Sequence, residues 1–214
     1  MLFNEKVIRK IMSNSTYLNK KYSTTKLLTK EKPEILKNRI DKFQSPLFLP
    51  EVRGIKSEGG LRTKGYFKNS YEGKPLITVV TAVFNGENFI EETIKSVLCQ
   101  TYDNIEYIII DGGSTDKTIN IIKKYENKID YWVSENDQGI YHAWNKGVTH
   151  ACGDWLSFLG SDDEYLPYAI VDYIDLINNS EKINFISSRV ELIESQNILR
   201  VIGKQWQWND FKKY

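Results

Sequence analysis

Three runs of the sequence decide the fold: Pro75-Leu-Ile-Thr-Val-Val-Thr-Ala-Val-Phe-Asn-Gly86, Ile105-Glu-Tyr-Ile-Ile-Ile-Asp-Gly-Gly-Ser-Thr-Asp116 and Trp155-Leu-Ser-Phe-Leu-Gly-Ser-Asp-Asp163. Each is a short apolar run that ends abruptly in small or acidic residues. Such runs are typical of parallel strands buried on both faces. In an open α/β sheet, ligand-binding groups lie at the carboxyl edge of the strands. The three runs together therefore predict an open sheet with polar groups gathered at one edge.

The apolar spacing between these runs predicts alternating strands and helices, and hence an α/β fold. We expect strands at 77–84, 105–111, 131–134 and 155–159. Helices are expected at 87–100, from a cap at Ser114 or Thr115 to 127, at 139–151 and at 167–178. Two further strands, 183–193 and 198–201, predict a hairpin at the edge of the same sheet. The predicted architecture is a mostly parallel, twisted sheet with helices on both faces, a Rossmann-like arrangement.

Charge is divided unevenly along the 214 residues, although the net charge is only +1. Residues 1–74 carry 17 Lys and Arg against 7 Asp and Glu, whereas residues 75–214 carry 12 against 21. We therefore predict a basic N-terminal extension, 1–74, and one domain, 75–214, that is short at its C-terminal end. The extension either packs as a solvated arm on the acidic domain or is attracted to an anionic membrane surface. The acidic domain argues against nucleic-acid binding.

The chain carries no apolar stretch near the roughly 18 residues that a membrane-spanning helix needs. Its N-terminus also lacks the apolar core of a secretion signal. We therefore expect a cytoplasmic protein. If the basic extension does meet a membrane, the expected contact is peripheral and on the inner face.

The strand ends carry the residues whose chemistry points to a ligand. The loop Phe84-Asn-Gly-Glu-Asn88 has a single glycine, which excludes the dinucleotide-binding fingerprint and the P-loop. Asp111 ends an apolar strand, where a carboxylate either bonds to a base or ribose or caps the next helix. Asp162 and Asp163 offer hard oxygen ligands for Mg²⁺ or Mn²⁺, and an aspartate pair in a loop is also common in a simple turn.

Taken together, these runs resemble the family 2 inverting glycosyltransferases of the GT-A fold. The resemblance covers about 75–167 and rests on motifs that follow one another in the family's order and spacing. The motifs are Thr78-Val-Val-Thr-Ala-Val-Phe-Asn-Gly86, Ser96-Val-Leu-Cys-Gln-Thr-Tyr102, Ile110-Asp-Gly-Gly-Ser-Thr-Asp116, Ser134-Glu-Asn-Asp-Gln-Gly-Ile-Tyr141, Asn145-Lys-Gly147 and Phe158-Leu-Gly-Ser-Asp-Asp163.

The resemblance implies transfer of a sugar, with inversion, from a nucleoside-diphosphate sugar to a glycan or lipid-linked acceptor. It implies a role in bacterial cell-surface polysaccharide synthesis, and a UDP-sugar is the first donor to expect. It also implies a divalent metal held by Asp162, with Asp163 as a second ligand. The implied nucleotide-sugar-binding residues all lie at or near strand ends and are Thr81, Ala82, Phe84, Asn85, Asp111, Gly113, Ser114, Asp137, Asn145 and Ser161.

The chain departs from the family's pattern at two positions near these motifs. Gly160 stands where many members open the metal motif with an acidic residue. His142 follows Gly-Ile-Tyr, where one subgroup commonly has an aspartate. The sequence leaves open whether His142 is a surface residue or a hydrogen-bond donor near the site.

No catalytic base can be assigned from the sequence. The carboxylates after Glu181 are Glu191, Glu194 and Asp210, and nothing in their spacing selects one of them. An alternative function therefore stands beside the transferase: a catalytically inactive or truncated nucleotide-binding module derived from such an enzyme.

Overall fold

The computed structural model describes residues 15–33, 55–180, 183–194 and 197–203, and the chain divides into two units, Met1–Val171 and Asp172–Tyr214. The first unit contains strands β1 (Ile55–Gly59), β2 (Ile77–Val83), β3 (Ile105–Asp111), β4 (Tyr131–Glu135) and β5 (Trp155–Gly160). Its helices are α1 (Ile90–Leu98), α2 (Thr118–Lys124) and α3 (Ile140–His150), and α4 (Ala169–Asn178) crosses the boundary between the units. In these ranges we find no helix with both the length and the apolar character needed to span a membrane.

The five strands form one sheet in the order β1-β4-β3-β2-β5. Strand β2 pairs in parallel with both β3 and β5, and β3 pairs in parallel with β4. Strand β1 runs antiparallel to β4. The predicted α/β class, with a mostly parallel sheet, is thereby confirmed.

The core lies on both faces of the central strands, because all seven residues of β2 and all seven of β3 are buried. Helix α3 covers one face, where Ala143 packs with Val80 and Ile108 in a buried apolar cluster. The helix approaches β2 closely at Gly147. A methyl group added at Gly147 would lie 2.3 Å from Val80 Cγ1, so only glycine fits this crossing.

The helices begin later than the sequence predicts, because side chains in the preceding loops hold those loops in turns. The prediction that Ser114 or Thr115 caps α2 is wrong, since α2 begins at Thr118. Ser114 instead donates its hydroxyl to Asp111. The Thr118 amide donates to Asp116 Oδ1 at 3.0 Å, which makes Asp116 the acceptor nearest the start of the helix.

The second unit contains the predicted hairpin, formed by β6 (Val190–Glu194) and β7 (Asn197–Ile202). The position of this hairpin at the edge of the main sheet stays a prediction. In the ranges described, β6 and β7 pair antiparallel with each other in a two-stranded sheet of their own, and every residue of both strands is exposed. Pairing between adjacent strands satisfies one edge of each strand locally and does not require a larger sheet.

Parts of the predicted basic extension contact the sheet and its helices. Strand β1 is an edge strand of the five-stranded sheet. Further upstream, the Ser23 hydroxyl donates to the Val97 carbonyl at 2.8 Å, and Lys26 Nζ lies 2.6 Å from Asp103 Oδ1. These contacts agree with an arm packed on the acidic domain, and the division at residues 74 and 75 stays a prediction.

A buried ion pair lies near the amino end of β3. Arg62 and Glu106 have side chains only 2% exposed, and Arg62 donates to Glu106 Oε1 at 2.5 Å. The second carboxylate oxygen accepts from the Thr78 hydroxyl at 2.6 Å and from the Cys152 amide at 2.8 Å. Burial opposes the charge on Arg62, but the attraction of Glu106 raises the pKa of Arg62 overall. The attraction between the two charges and the hydrogen bonds to Glu106 therefore offset the cost of burying the pair.

A second buried acid, Asp130, lies close to this pair and to Lys68. Burial raises the pKa of Asp130 to about 7, although the nearby Lys68 opposes the shift. Burial likewise lowers the pKa of Lys68, whose ammonium donates to the Ile105 carbonyl at 2.5 Å. The Tyr107 amide donates to Asp130 Oδ2 at 2.8 Å, a bond that both protonation states of the carboxyl can accept.

The close contact between α3 and β2 predicts that Gly147→Ala lowers the free energy of unfolding by about 1–3 kcal/mol, because the buried Val80 cannot move aside. Val80→Ala should cost less in the Gly147→Ala background than in the wild type. Asn145→Ala, on the exposed side of α3, should be neutral or slightly stabilising. Urea denaturation of the wild type and the four variants measures these effects, and an unchanged midpoint for Gly147→Ala would show that α3 can move away without loss.

The raised pKa of Asp130 predicts that the free energy of unfolding falls as the pH rises. Between the unfolded pKa of about 4 and the folded value of about 7, the native state keeps a proton that the unfolded state has lost. The stability that Asp130 contributes through this retained proton is fully present below its pKa in the unfolded state. From pH 5 to 7, the free energy of unfolding of the wild type minus that of Asp130→Asn should therefore fall, by at most about 1.4 kcal/mol per pH unit.

Asp103→Asn is the control for this measurement. The pKa of Asp103 is lowered, because hydrogen bonds and charges from Lys26 and Lys74 outweigh burial. Asp103 loses its contribution to stability only as the pH falls below the ordinary range of an aspartate. The free energy of unfolding of the wild type minus that of Asp103→Asn should therefore be constant from pH 5 to 7. A flat difference for Asp130→Asn as well would contradict the raised pKa.

Candidate functional site

The register of the sheet brings three strand ends to one edge. Val83 of β2 pairs with Asp111 of β3, and Ala82 pairs with Gly160 of β5. Two inter-strand spacings place the Cα atoms of Asp111 and Gly160 about 10 Å apart, on either side of β2. The loops that follow these strands therefore meet at this edge, as the sequence predicts.

Asp111 is fully buried and organises the turn after β3. Its carboxylate accepts from the Gly113 and Ser114 amides, both at 3.0 Å, and from the Ser134 hydroxyl at 2.6 Å. The Ser114 hydroxyl also donates to it. Hydrogen bonds from four donors compensate the buried carboxylate, as burial of a charge requires. Asp111 thus fixes the turn rather than capping α2.

Reciprocal hydrogen bonds join the loop after β2 to the loop after β3. The Asn85 amide donates to Ser114 Oγ at 2.7 Å, and the Thr115 amide donates to Asn85 Oδ1 at 2.9 Å. Asn85 has a φ of 52°, in the left-handed region that asparagine tolerates better than most residues. The two loops are therefore held as one surface.

A second set of reciprocal bonds lies one step further along both loops. The Glu87 amide donates to Asp116 Oδ2 at 3.0 Å, and the Lys117 amide donates to Glu87 Oε2 at 2.8 Å. The pKa of Asp116 is lowered: burial acts against this, but the bonds from Thr118 and Glu87 stabilise the carboxylate. The carboxylates of Asp116 and Glu87 thus connect the two loops.

Asp137 reaches the same edge from the loop between β4 and α3. A methyl group added at Gly112 would lie 2.7 Å from Asp137 Oδ2, so the carboxylate lies against the Gly112 backbone. Asp137 Oδ1 accepts from the Gly139 amide at 2.8 Å. The structure therefore brings Asp137 beside the turn that Asp111 fixes.

The loop after β5 carries the predicted metal ligands. Asp162 and Asp163 are exposed, and a methyl group at Gly160 would lie 3.1 Å from Asp162 Oδ1 and 2.6 Å from Asp163 Oδ2. The Thr93 hydroxyl donates to the Ser161 carbonyl at 2.8 Å, which ties this loop to α1. Over the ranges described there is no cluster of three or more His, Cys, Asp or Glu arranged to hold a metal. Two adjacent carboxylates nevertheless suit Mg²⁺ or Mn²⁺, which takes its other ligands from substrate phosphates and water.

The remaining predicted residues differ in how far they can reach a ligand. Thr81 is fully buried and bonds through its hydroxyl to Tyr107 at 3.2 Å, and Ala82 is 7% exposed. Phe84 is 64% exposed at the end of β2. Asn145 is exposed on α3. The structure thus gathers the loop residues, and the ligand contacts of all these residues stay predictions.

Two residues of the candidate site were not predicted as functional residues from the sequence. Ser134 supports Asp111, and Gly112 leaves room for Asp137. Each acts on a residue of another loop or turn, so neither strand nor helix periodicity reveals its partner. The available signal was that both lie within the family motifs. His142, which the sequence leaves open as a surface residue or a hydrogen-bond donor, instead accepts from the Gln138 amide at Nδ1.

Comparison with known proteins gives one family. The model described as "Glycosyl transferase family 2" matches residues 78–212, more than half of the chain. A protein named as an uncharacterized glycosyltransferase from Rickettsia typhi is 40% identical over 111 residues, which are 52% of this chain and 34% of that protein. Another of that name from Mycobacterium tuberculosis is 44% identical over 92 residues, 42% of this chain and 35% of that protein. The chain thus spans about a third of the length of these relatives.

Among solved structures, S. aureus TarS 1-349 in complex with UDP-GlcNAc is similar to this chain. The TM-score is 0.45 and the sequence identity 27%, over 48% of this chain and 31% of that protein.

The support that Ser134 gives to Asp111 predicts a stability loss when the hydroxyl is removed. Ser134→Ala should lower the free energy of unfolding by about 1.5–3 kcal/mol, because a buried carboxylate loses a donor. Ser70→Ala removes a hydroxyl that also donates to a carboxylate, that of Asp154, but at an exposed position. Its effect should stay below about 1 kcal/mol. Equal losses in urea denaturation would contradict a special role for Ser134.

Proposed function

This chain belongs to glycosyl transferase family 2, and we propose that it binds a nucleoside-diphosphate sugar at the carboxyl edge of its sheet and transfers the sugar with inversion. The proposed acceptor is a glycan or a lipid-linked glycan, in the synthesis of a bacterial cell-surface polysaccharide. A UDP-sugar is the first donor to test, and GDP-sugars are the comparison. Exposed lysines of the N-terminal segment, such as Lys20 and Lys21, suit peripheral contact with an anionic membrane.

One observation carries the proposal: the loops after β2 and β3 are hydrogen-bonded into a single surface that β5 extends with two carboxylates. Asn85 and Ser114 connect the first two loops, and Asp162 and Asp163 follow β5. A site at this edge of a parallel sheet is the usual ligand position in open α/β folds. The motifs that form it are those by which the chain resembles its family.

We assign the nucleoside to the part of this surface that lies beside Phe84. The exposed ring of Phe84 offers a face on which a base can stack. The loop residues around Asn85 and Ser114 supply polar groups for the ribose, and the buried Asp111 holds their turn in place. Asp137, beside Gly112, borders the same turn and is assigned to the sugar side.

Asp162 and Asp163 would hold the divalent cation, Mg²⁺ or Mn²⁺. When bound, the cation neutralises charge that develops on the departing diphosphate. The exposed carboxylates leave room for phosphate oxygens and water as further ligands. Asn145 would approach the donor from α3.

Transfer with inversion needs one further group. The acceptor oxygen forms a bond to the anomeric carbon on the face opposite the diphosphate, while the bond to the diphosphate breaks. The hydroxyl proton passes to a base, for which a carboxylate is the expected group. We assign no residue to this role: Glu191 and Glu194 lie on β6, and Asp210 lies outside the described residues.

The proposal predicts that UDP or GDP binds in the presence of Mn²⁺ and that binding depends on Asp162. In isothermal titration calorimetry, Asp162→Asn should weaken metal-dependent binding by about tenfold or more, because a direct carboxylate ligand is lost. Asp163→Asn should weaken it less. Glu164→Gln removes an exposed carboxylate from the same loop and should leave affinity within about threefold, since surface charge contributes little.

Turnover separates the two functions that the sequence leaves open. Hydrolysis or transfer of a bound UDP- or GDP-sugar supports the transferase. Metal-dependent binding without turnover of any donor supports an inactive nucleotide-binding module. A folded chain that binds neither nucleotide would contradict the proposed site.

A further inference from the structure

His142 lies in the first turn of α3, and its ring closes the loop between β4 and that helix. The backbone amide of Gln138 donates to His142 Nδ1 at 3.0 Å. Helix α3 begins at Ile140, and Gly139 precedes it with no side chain that could accept a hydrogen bond. The third residue of a helix commonly reaches back to accept from an amide at the helix start, as acidic and amide side chains do in a capping box. His142 occupies this third position, and its ring nitrogen accepts from the amide of Gln138, one residue before the N-cap Gly139.

The next turn of α3 holds the same loop at its other end. Lys146 Nζ lies 2.6 Å from Glu135 Oε1 and 3.4 Å from the Asn136 carbonyl oxygen. Residues 142 and 146 are four apart and therefore lie on one face of the helix. Residues 135–138, which are the last residue of β4 and the start of the loop after it, are thus tied to α3 by two side chains, and His142 is the one nearer to Asp137.

The loop position matters because Asp137 lies within it. Asp137 Oδ2 lies where a methyl group on Gly112 would collide with it, and Oδ1 accepts from the Gly139 amide. Gly139 has a φ of 104°, a conformation that only glycine adopts readily. The loop therefore combines a permissive backbone with a side-chain restraint at Gln138, the residue directly after Asp137.

We propose that His142 is a positioning residue: by accepting from the Gln138 amide, it holds Asp137 against Gly112 and so shapes the sugar side of the site. The inference rests on the proposed function. An imidazole that accepts at Nδ1 carries its proton at Nε2, so the tautomer is fixed by this bond. A side chain without an acceptor at this place would remove the bond to the Gln138 amide and leave the Lys146 contacts in place.

Two substitutions at one position test this role. His142→Leu removes the acceptor, whereas His142→Asn keeps a side-chain oxygen that can accept from the same amide. We expect amide hydrogen exchange at Gln138 to accelerate by about tenfold in His142→Leu and to stay within about threefold of wild type in His142→Asn, the effect of one hydrogen bond. The Gly112 amide resonance should shift in His142→Leu only, because the Asp137 carboxylate lies against the Gly112 backbone.

The same variants can also be compared by steady-state kinetics. For a UDP- or GDP-sugar that the wild type turns over, His142→Leu should raise KM by about tenfold with a smaller change in kcat, and His142→Asn should restore KM. If KM stays at the wild-type value in His142→Leu although Gln138 exchanges faster, the positioning role is wrong. Unchanged exchange and an unchanged Gly112 resonance would also overturn it.

The exchange and resonance measurements on one hand, and the kinetic measurement on the other, distinguish failure of this inference from failure of the proposed function. A wild-type chain that binds no nucleotide contradicts the function, and the exchange and resonance measurements still decide whether His142 positions Asp137. Lys146→Met is the matched comparison. It should affect exchange at the start of the loop and leave Gln138 within about threefold of wild type, because the His142 bond remains.

Discussion

The pairing of β2 with β3 and β5 is the constraint on which the rest of the structure depends. Because β2 is hydrogen-bonded in parallel on both sides, the three strands end at the same level. A shift of one residue would turn Val80 and Ala82 away from α3 and would also move the strand ends apart. The same strand register therefore packs the apolar side chains into the core and aligns the polar loops at one edge of the sheet.

Strand β3 contains a buried acid near each end, and the two acids are compensated in different ways. Glu106 pairs with Arg62, so a segment upstream of β2 is fixed to the sheet by charge. Removing one partner of such a pair typically costs about 3–5 kcal/mol, since the other charge stays buried. Asp111 has amide and hydroxyl donors instead, all from residues near the site. Charge pairing thus secures the amino end of β3, and hydrogen bonding shapes its carboxyl end, where the proposed site lies.

The sequence predicts those parts of the fold that depend on local apolar runs. Strand β3 was predicted at its observed bounds, and the order of strands and helices from β2 to α4 agrees with the structure. The β6–β7 hairpin was also predicted, because its two strands pair with each other locally. In the site, the composition of the loops was predictable. The contacts of Ser134 with Asp111 and of Asp137 with Gly112 were not, since each depends on register between distant segments.

Gly160 limits the number of protein ligands available to the proposed cation. A side chain there would displace the carboxylates of Asp162 and Asp163, so these two residues are the protein ligands that this strand end can supply. Two carboxylates leave most positions around a six-coordinate cation to water and phosphate oxygens. The cation should therefore be held weakly by the protein alone and more strongly once the nucleotide is bound. By linkage, the nucleotide should gain the same factor in affinity from the cation, so the proposed donor and cation should bind cooperatively.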